Sequence, residues 1–311
     1  MTEIEKPTLP AAVRSSARLA WALLLVVFAT IYLAALHTPP LLDDADASHA
    51  QAAAQMAETG DYVTLHVNGL RYLEKPPLPY WIVATLYRVL GENAFATRLP
   101  NALAVLGCAW IAWLWCRRAW GERAALYAGL ATLTACGPFL YTRFFIPEAL
   151  LSFLLLVALY CLLTGLESQR PGRFYVAWAA LALATLTKGL IAPVFFLAAG
   201  IPLLLVSGQW RRWRHLKPVS GLLLFLLIAA PWHVLAALRN PGEGHPAGNI
   251  PTIGNVHGFL YFYFLNEHVF RFLGMRYPHD YNKQSPILYW VLQLVWIFPW
   301  SIFVPAALVM A

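Results

Sequence analysis

The stretch LAWALLLVVFATIYLAAL, running from Leu19 to Leu36, carries no charged residue over its whole length. Crossing the hydrocarbon core of a bilayer as a helix takes about 20 predominantly apolar residues. This stretch is of that size, and a second apolar stretch from Thr97 to Cys116 matches it. Around them the composition is equally one-sided, with 60% hydrophobic and 12% charged residues among 311. A soluble domain carries roughly 25% charged residues, so most of this chain is built to face lipid. A barrel would show alternating strands of about ten residues, whereas an unbroken apolar run is the signature of a helix that satisfies its own backbone hydrogen bonds. The expectation is an all-α membrane protein, a polytopic bundle of transmembrane helices.

The apolar runs predict about eight spans, at roughly 19–36, 97–116, 124–140, 148–164, 174–187, 189–206, 218–236 and 286–306. Arg14 and Arg18 precede the first, which reads as an uncleaved anchor because further spans follow it. Short loops enriched in Lys and Arg stay in the cytoplasm. Twelve of the 22 Lys and Arg residues fall on the side that holds Lys6, Arg117, Arg118, Arg170, Arg211 and Lys217, although that side has much the shorter loops. It is therefore expected to be cytoplasmic. The two long loops, about 37–96 and 237–285, then lie outside, in the periplasm of a Gram-negative cell. The chain reaches Ala311 within an apolar stretch, which reads as one transmembrane domain over 1–311, with C-terminal spans and an outer domain missing.

The net charge of +7 does not call for nucleic acid, because the basic residues serve membrane orientation. The four cysteines, Cys108, Cys116, Cys136 and Cys161, lie in or at the ends of apolar runs with no CxxC pair. They predict packing residues, neither a disulfide framework nor a metal site.

The first outer loop concentrates the polar chemistry. Residues 41–60 read LLDDADASHAQAAAQMAETG, an Ala-rich interfacial helix opened by Asp43, Asp44 and Asp46 and closed by Gly60. Capping and the helix dipole account for one carboxylate; three just outside a membrane span also suit a carboxylate that acts on a substrate. His49, one turn after Asp46, shares its face and could join it as half of a metal site or a proton relay, or simply hydrogen-bond nearby. Asn68-Gly69 then marks a tight turn. Pro76, Pro77 and Pro79 hold Glu74 and Lys75 in an extended stretch and delay a regular helix until Tyr80. A lysine fixed at the outer interface can bind a phosphate as a point charge, or snorkel beside Glu74.

The run from Asp43 to Pro77, with RYLEKPP at Arg71–Pro77 and Arg98-Leu99-Pro100 after it, resembles the bacterial members of the dolichyl-phosphate-mannose protein mannosyltransferase family, most closely the lipid A aminoarabinose transferases of glycosyltransferase family 83. The resemblance implies a GT-C fold and an inverting enzyme in the inner membrane. Such an enzyme takes a sugar from a polyprenyl-phosphate carrier on the periplasmic face and passes it to lipid A, a glycan or a protein. Other readings of a lipid-facing, phosphate-binding bundle are a flippase for lipid-linked sugars or a non-catalytic assembly subunit. A flippase would place ionisable or Gly/Pro-broken segments near the midplane, where this sequence has neither.

Carried over residue by residue, the family's Asp-Glu pair falls on Ala45 and Asp46. The catalytic carboxylate is thus expected from Asp44 first and Asp46 second, with Asp43 beside them, and an arginine of the close relatives is replaced by Ser48. The resemblance further implies phosphate binding by Lys75, positioning by Tyr72 and Glu74, and a catalytic carboxylate at Glu148 where the family has Asp, with Arg143 as its partner. It gives Lys188 of Thr187-Lys188-Gly189 a phosphate or headgroup contact. Arg271, in Glu267-His268-Val269-Phe270-Arg271-Phe272, is the second cation on the carrier phosphate. A divalent metal is possible, since some relatives pair a His just before this Glu with the first-loop Glu. Asn266 stands at that position here, which leaves Glu74 with His257 or His268 as the candidate ligands.

Overall fold

The structure is a computed structural model that describes residues 11–41, 44–243, 253–279 and 285–310. Helices dominate: α1 (Ala11–Ile31), α2 (Asp44–Thr59), α3 (Leu78–Leu90), α4 (Ala94–Trp120), α5 (Glu122–Thr134), α6 (Cys136–Tyr141), α7 (Glu148–Ser168), α8 (Pro171–Lys188), α9 (Ile191–Val206), α10 (Pro218–Arg239), α11 (Ile253–Phe259), α12 (Arg271–Leu273), α13 (Pro286–Trp296) and α14 (Val304–Met310). A π-helical turn over Leu260–Phe270 joins α11 to α12, and a 3₁₀ segment over Gln209–Leu216 joins α9 to α10.

Among the described residues, four helices are long and apolar enough to span a bilayer: Ala17–Ala35, α4, α7 and α10. Their outer faces leave Leu222, Leu223, Leu226 and Leu227 exposed, as a lipid-facing surface requires. Two of the expected straight spans are broken. The run expected at 286–306 bends by 104° between Ile287–Trp296 and Trp300–Val309, and the run expected at 124–140 breaks at Ala135, whose backbone is extended. The two breaks meet. The Cys136 backbone N–H donates to Phe298 O at 2.8 Å and the Trp300 indole N–H to Thr134 Oγ1 at 2.8 Å. Non-helical backbone is tolerated at membrane depth where protein covers it, and here each break supplies the other's missing partner.

The first outer loop forms a small subdomain. α2 buries Ala50, Ala52, Ala53 and Met56 against Tyr80, Val83, Ala84 and Tyr87 of α3, the alanines allowing a close approach. Gly60 ends α2 at φ 73°, a conformation that carries no Cβ penalty in glycine. Asn68 and Gly69, at φ 52° and 76°, make the turn between two short antiparallel strands, β1 (His66–Val67) and β2 (Leu70–Arg71). The prolines act differently from expectation. Pro77 sits at the N-cap and Pro79 in the first turn of α3, where a missing N–H costs nothing, so the helix begins at Leu78 instead of being held off until Tyr80.

α4, α7, α8 and α10 pack side by side beneath this subdomain, with α1 and α5 against α4. Leu73, just before Glu74, is buried among α8, α10 and the π-helical turn. That contact anchors the Glu74-Lys75 stretch to the membrane helices and to the second outer loop at once.

Candidate active site

Glu74 and Lys75 lie between β2 and α3, held on one side by Leu73 and on the other by the buried Pro76 and Pro77. The Lys75 ammonium reaches a narrow cleft lined with His49, Tyr80, Pro147 and Thr187. Burial pushes its pKa below that of an ordinary lysine; Glu74 opposes this, while Arg271 and Lys188 reinforce it. Its salt-bridge contact is with Glu74 at 3.7 Å, the longest ion pair among the described residues. Around Lys75, Arg276 contacts Glu74 at 3.1 Å and Glu267 at 2.6 Å, Arg271 contacts Glu267 at 3.1 Å, and Lys188 pairs with Glu148. Among the described residues, the cations Lys75, Arg271, Arg276 and Lys188 thus interleave with the carboxylates Glu74, Glu267 and Glu148.

The π-helical turn buries Asn266 and Glu267 together. Burial and the nearby Glu74 push the Glu267 carboxyl up, and Arg276 restrains the rise. His49 donates or accepts a 2.7 Å hydrogen bond with the Tyr80 hydroxyl and lies edge-on to Tyr72 and Phe145. Burial, then Lys75, lower its pKa to about 4, so the ring is neutral at ordinary pH. The Tyr72 hydroxyl is pushed well up by burial and by Glu74.

The structure brings together most of the sequence-predicted residues: Tyr72, Glu74, Lys75, Glu148, Lys188 and Arg271 line or flank one cleft. Glu148 opens α7, with its carboxylate on Lys188 and one buried oxygen, Oε2, left without a protein partner among the described residues. Gly189 is required beside it. At φ 81° its Cβ would lie 2.3 Å from His268 Nε2, so the Thr-Lys-Gly break is the place where the second outer loop touches the end of α8.

Asp46 does not join this cluster. Its side chain is about 2% exposed and accepts from Arg98 at 2.8 Å and from the Phe145 backbone N–H at 2.7 Å. Its place as second catalytic candidate is corrected to a buried ion pair that fastens α2 to α4. Asp43 lies outside the described residues, and of Asp44 the backbone is described, as the first residue of α2. Arg143, expected to assist Glu148 on substrate, instead donates to the carbonyls of Ile31, Ala35 and Thr38 and lies 4.5 Å from the Phe139 ring centroid. Those carbonyls lie where the first span ends, where helical backbone partners run out, and the guanidinium supplies them with donors.

The metal reading does not fit these side chains. His268 Nδ1 donates to Tyr263 O at 2.6 Å while Nε2 accepts from the Leu190 N–H at 3.0 Å, so both ring nitrogens are engaged. His257 stacks on Tyr261. Glu74 is bridged to Glu267 by Arg276, and no group of three or more His, Cys, Asp or Glu among the described residues is placed to hold an ion. Arg276 and Arg98 are the residues that sequence reasoning passed over. Arg98 stood in a quoted motif without a role, and Arg276 offered only its place five residues after Arg271. An apolar cavity of about 130 Å³, lined by Leu162, Phe174, Trp178, Phe196 and Leu204, lies toward the other end of α8, on the order of 10–20 Å from Lys188 by helical rise.

The family profile of dolichyl-phosphate-mannose-protein mannosyltransferases matches residues 74–234, a span that runs from Glu74 through most of α10. Among curated proteins, an undecaprenyl phosphate-alpha-4-amino-4-deoxy-L-arabinose arabinosyl transferase of Pseudomonas aeruginosa (strain UCBPP-PA14) is 30% identical over 94% of this chain and 51% of its own length. A second such transferase, from Proteus mirabilis, is 26% identical over 93% of the chain and 50% of its own length. The crystal structure of ArnT from Cupriavidus metallidurans bound to undecaprenyl phosphate superposes with a TM-score of 0.77 at 28% identity, covering 93% of this chain and 50% of that one. The chain therefore spans about half the length of the relatives it matches.

Proposed function

The chain belongs to the dolichyl-phosphate-mannose-protein mannosyltransferase family, and from that premise we propose that it transfers a sugar from a polyprenyl-phosphate carrier to an acceptor at the outer face of the bacterial inner membrane. The observation that carries this reading is the placement of Lys75. It is a cation that reaches into a cleft, 3.7 Å from its Glu74 partner and with the charges of Arg271 and Lys188 close by.

The chemistry follows from charge. The acceptor oxygen attacks the anomeric carbon from the face opposite the phosphate and inverts it. The sugar–phosphate C–O bond breaks, and its electron pair leaves with the carrier phosphate, which gains a negative charge. Lys75 and Arg271 stabilise that gain, and cations fixed in advance spend no reorganisation energy at the moment of reaction. The acceptor proton passes to a carboxylate: Asp44 at the head of α2 or Glu148, whose Oε2 lacks a protein partner. Tyr72 and Glu74 position the phosphate site, and Lys188 orients Glu148 through their ion pair. The long loops face the periplasm by the distribution of basic residues, so donor and acceptor meet there. The phosphate of a polyprenyl carrier and a phosphorylated acceptor such as lipid A suit a cleft lined by cations, and the neighbouring carboxylates suit an amino sugar.

The test uses the full-length protein, reconstituted with undecaprenyl-phosphate-linked aminoarabinose and lipid A, with released carrier phosphate as the readout. Wild type is expected to turn over and Lys75→Ala to fall about 100-fold or more, the usual loss for one charge-stabilising contact. Equal turnover by the two would overturn the reading.

A further inference from the structure

Glu74 and Glu267 approach each other from two outer loops, both largely buried, and like charges so placed repel unless a cation stands between them. Arg276 is that cation. Its Nε donates to Glu267 Oε1 at 2.6 Å and its Nη2 to Glu74 Oε1 at 3.1 Å, with the side chain 11% exposed. A guanidinium has donors at fixed angles and can hold two carboxylates at once, which an ammonium on a flexible stem does less well.

The arginine is itself held in register. Asn266 Nδ2 donates to Tyr277 O at 2.8 Å and its Oδ1 accepts from the Tyr277 N–H at 3.1 Å. Both ends of the amide are thus spent on fixing the backbone next to Arg276, and Asn266 Nδ2 also lies 3.3 Å from Glu267 Oε1. A histidine at 266 could not make this paired contact with one peptide unit, because its two ring nitrogens point in divergent directions.

We propose that Arg276 is the resident cation of this site: it does the work a divalent ion would do between Glu74 and Glu267, clamps the two outer loops together, and thereby sets the position of Lys75. This rests on the glycosyl-transfer reading, and it makes transfer by this protein independent of divalent metal. Arg276 is a positioning residue, with Asn266 as its support, and Lys75 remains the group that touches the carrier phosphate.

Two readouts on the full-length protein test the clamp. In the first, transfer is measured with EDTA and with added Mg²⁺, Mn²⁺ or Zn²⁺. Wild type is expected to change less than 2-fold across these conditions, while Arg276→Gln raises KM for the carrier about 10-fold or more at little cost in kcat. Arg276→Lys, which keeps the charge without the fork, is expected to lie between the two. In the second, zinc binding is measured by calorimetry, independently of activity. The Asn266→His/Arg276→Ala double variant, which leaves a histidine and two carboxylates together, is expected to bind Zn²⁺ at least 10-fold more tightly than wild type. Wild-type transfer that collapses in EDTA and returns with a divalent ion overturns the proposal, as does a wild-type KM in Arg276→Gln, or zinc affinity equal in wild type and double variant. Absence of transfer in wild type under every condition would contradict the glycosyl-transfer reading, while the zinc measurement would still decide on the clamp.

Discussion

Two ionic systems flank the first outer helix, and they are built from the same residue types to opposite ends. Beneath α2, Asp46 and Arg98 are both almost fully buried and face each other at 2.8 Å. Arg98 and Arg143 also donate to carbonyls at the end of the first span and just beyond it. Beyond α2, Lys75 and Arg271 are partly open and interleave with Glu74, Arg276 and the buried Glu267. The difference teaches that charge at a membrane surface is structural where it is locked onto a buried counter-charge and backbone carbonyls, and is available to a ligand where the cation faces a cleft. An acidic or basic residue type decides neither.

The largest effect should come from the closed system. Arg98→Ala strands a buried carboxylate, and breaking one side of such a pair costs about 3–5 kcal/mol. Thermal unfolding in detergent is expected to show a large loss of stability, and Asp46→Asn a smaller one, because the amide keeps the Phe145 contact. An Asp46→Asn protein that is fully stable and has no transfer would restore Asp46 to the chemistry and break the comparison.

In the open system, Lys75→Ala should leave unfolding unchanged and remove transfer. Here pH sharpens the contrast. With its pKa pushed down by burial, Lys75 in the free protein loses its charge at a lower alkaline pH than an ordinary lysine. Carrier affinity should therefore fall earlier on the alkaline side than in an Arg substitute, Lys75→Arg, as followed by titrating binding from neutral pH upward.

A smaller effect is expected from His49, which sits between the two systems. Burial lowers its folded pKa to about 4, below the 6.5 of an ordinary histidine, so the unfolded chain binds the proton more readily. Stability contributed by neutral His49 is present above pH 6.5, is lost progressively as pH falls toward about 4, and is flat below. His49→Gln should remove that acid-side slope in unfolding measured from pH 7 to pH 4.

Much of this was legible in the sequence. The α2 helix with its Gly60 stop, the Asn68-Gly69 turn and the break at Thr187-Lys188-Gly189 follow from local rules. The gathering of Tyr72, Glu74, Lys75 and Arg271 at one site came with the family resemblance. What local rules could not supply are partners distant in the chain. Asp46 and Arg98 are 52 residues apart, and Arg276 and Glu74 are 202 apart, so nothing in either segment announces the other. The broken spans escaped for the same reason, since the break at Ala135 is satisfied by Phe298 O. Hydropathy registers each as an unbroken apolar run.

The measurement that goes most directly to the contrast is the affinity of full-length protein in nanodiscs for undecaprenyl phosphate, compared between Lys75→Ala and Arg143→Gln at matched folded fraction. Placing the carrier phosphate in the open cluster predicts at least a 10-fold loss of affinity in Lys75→Ala and wild-type affinity in Arg143→Gln. Wild-type affinity in Lys75→Ala, or an equal loss in both, would contradict it.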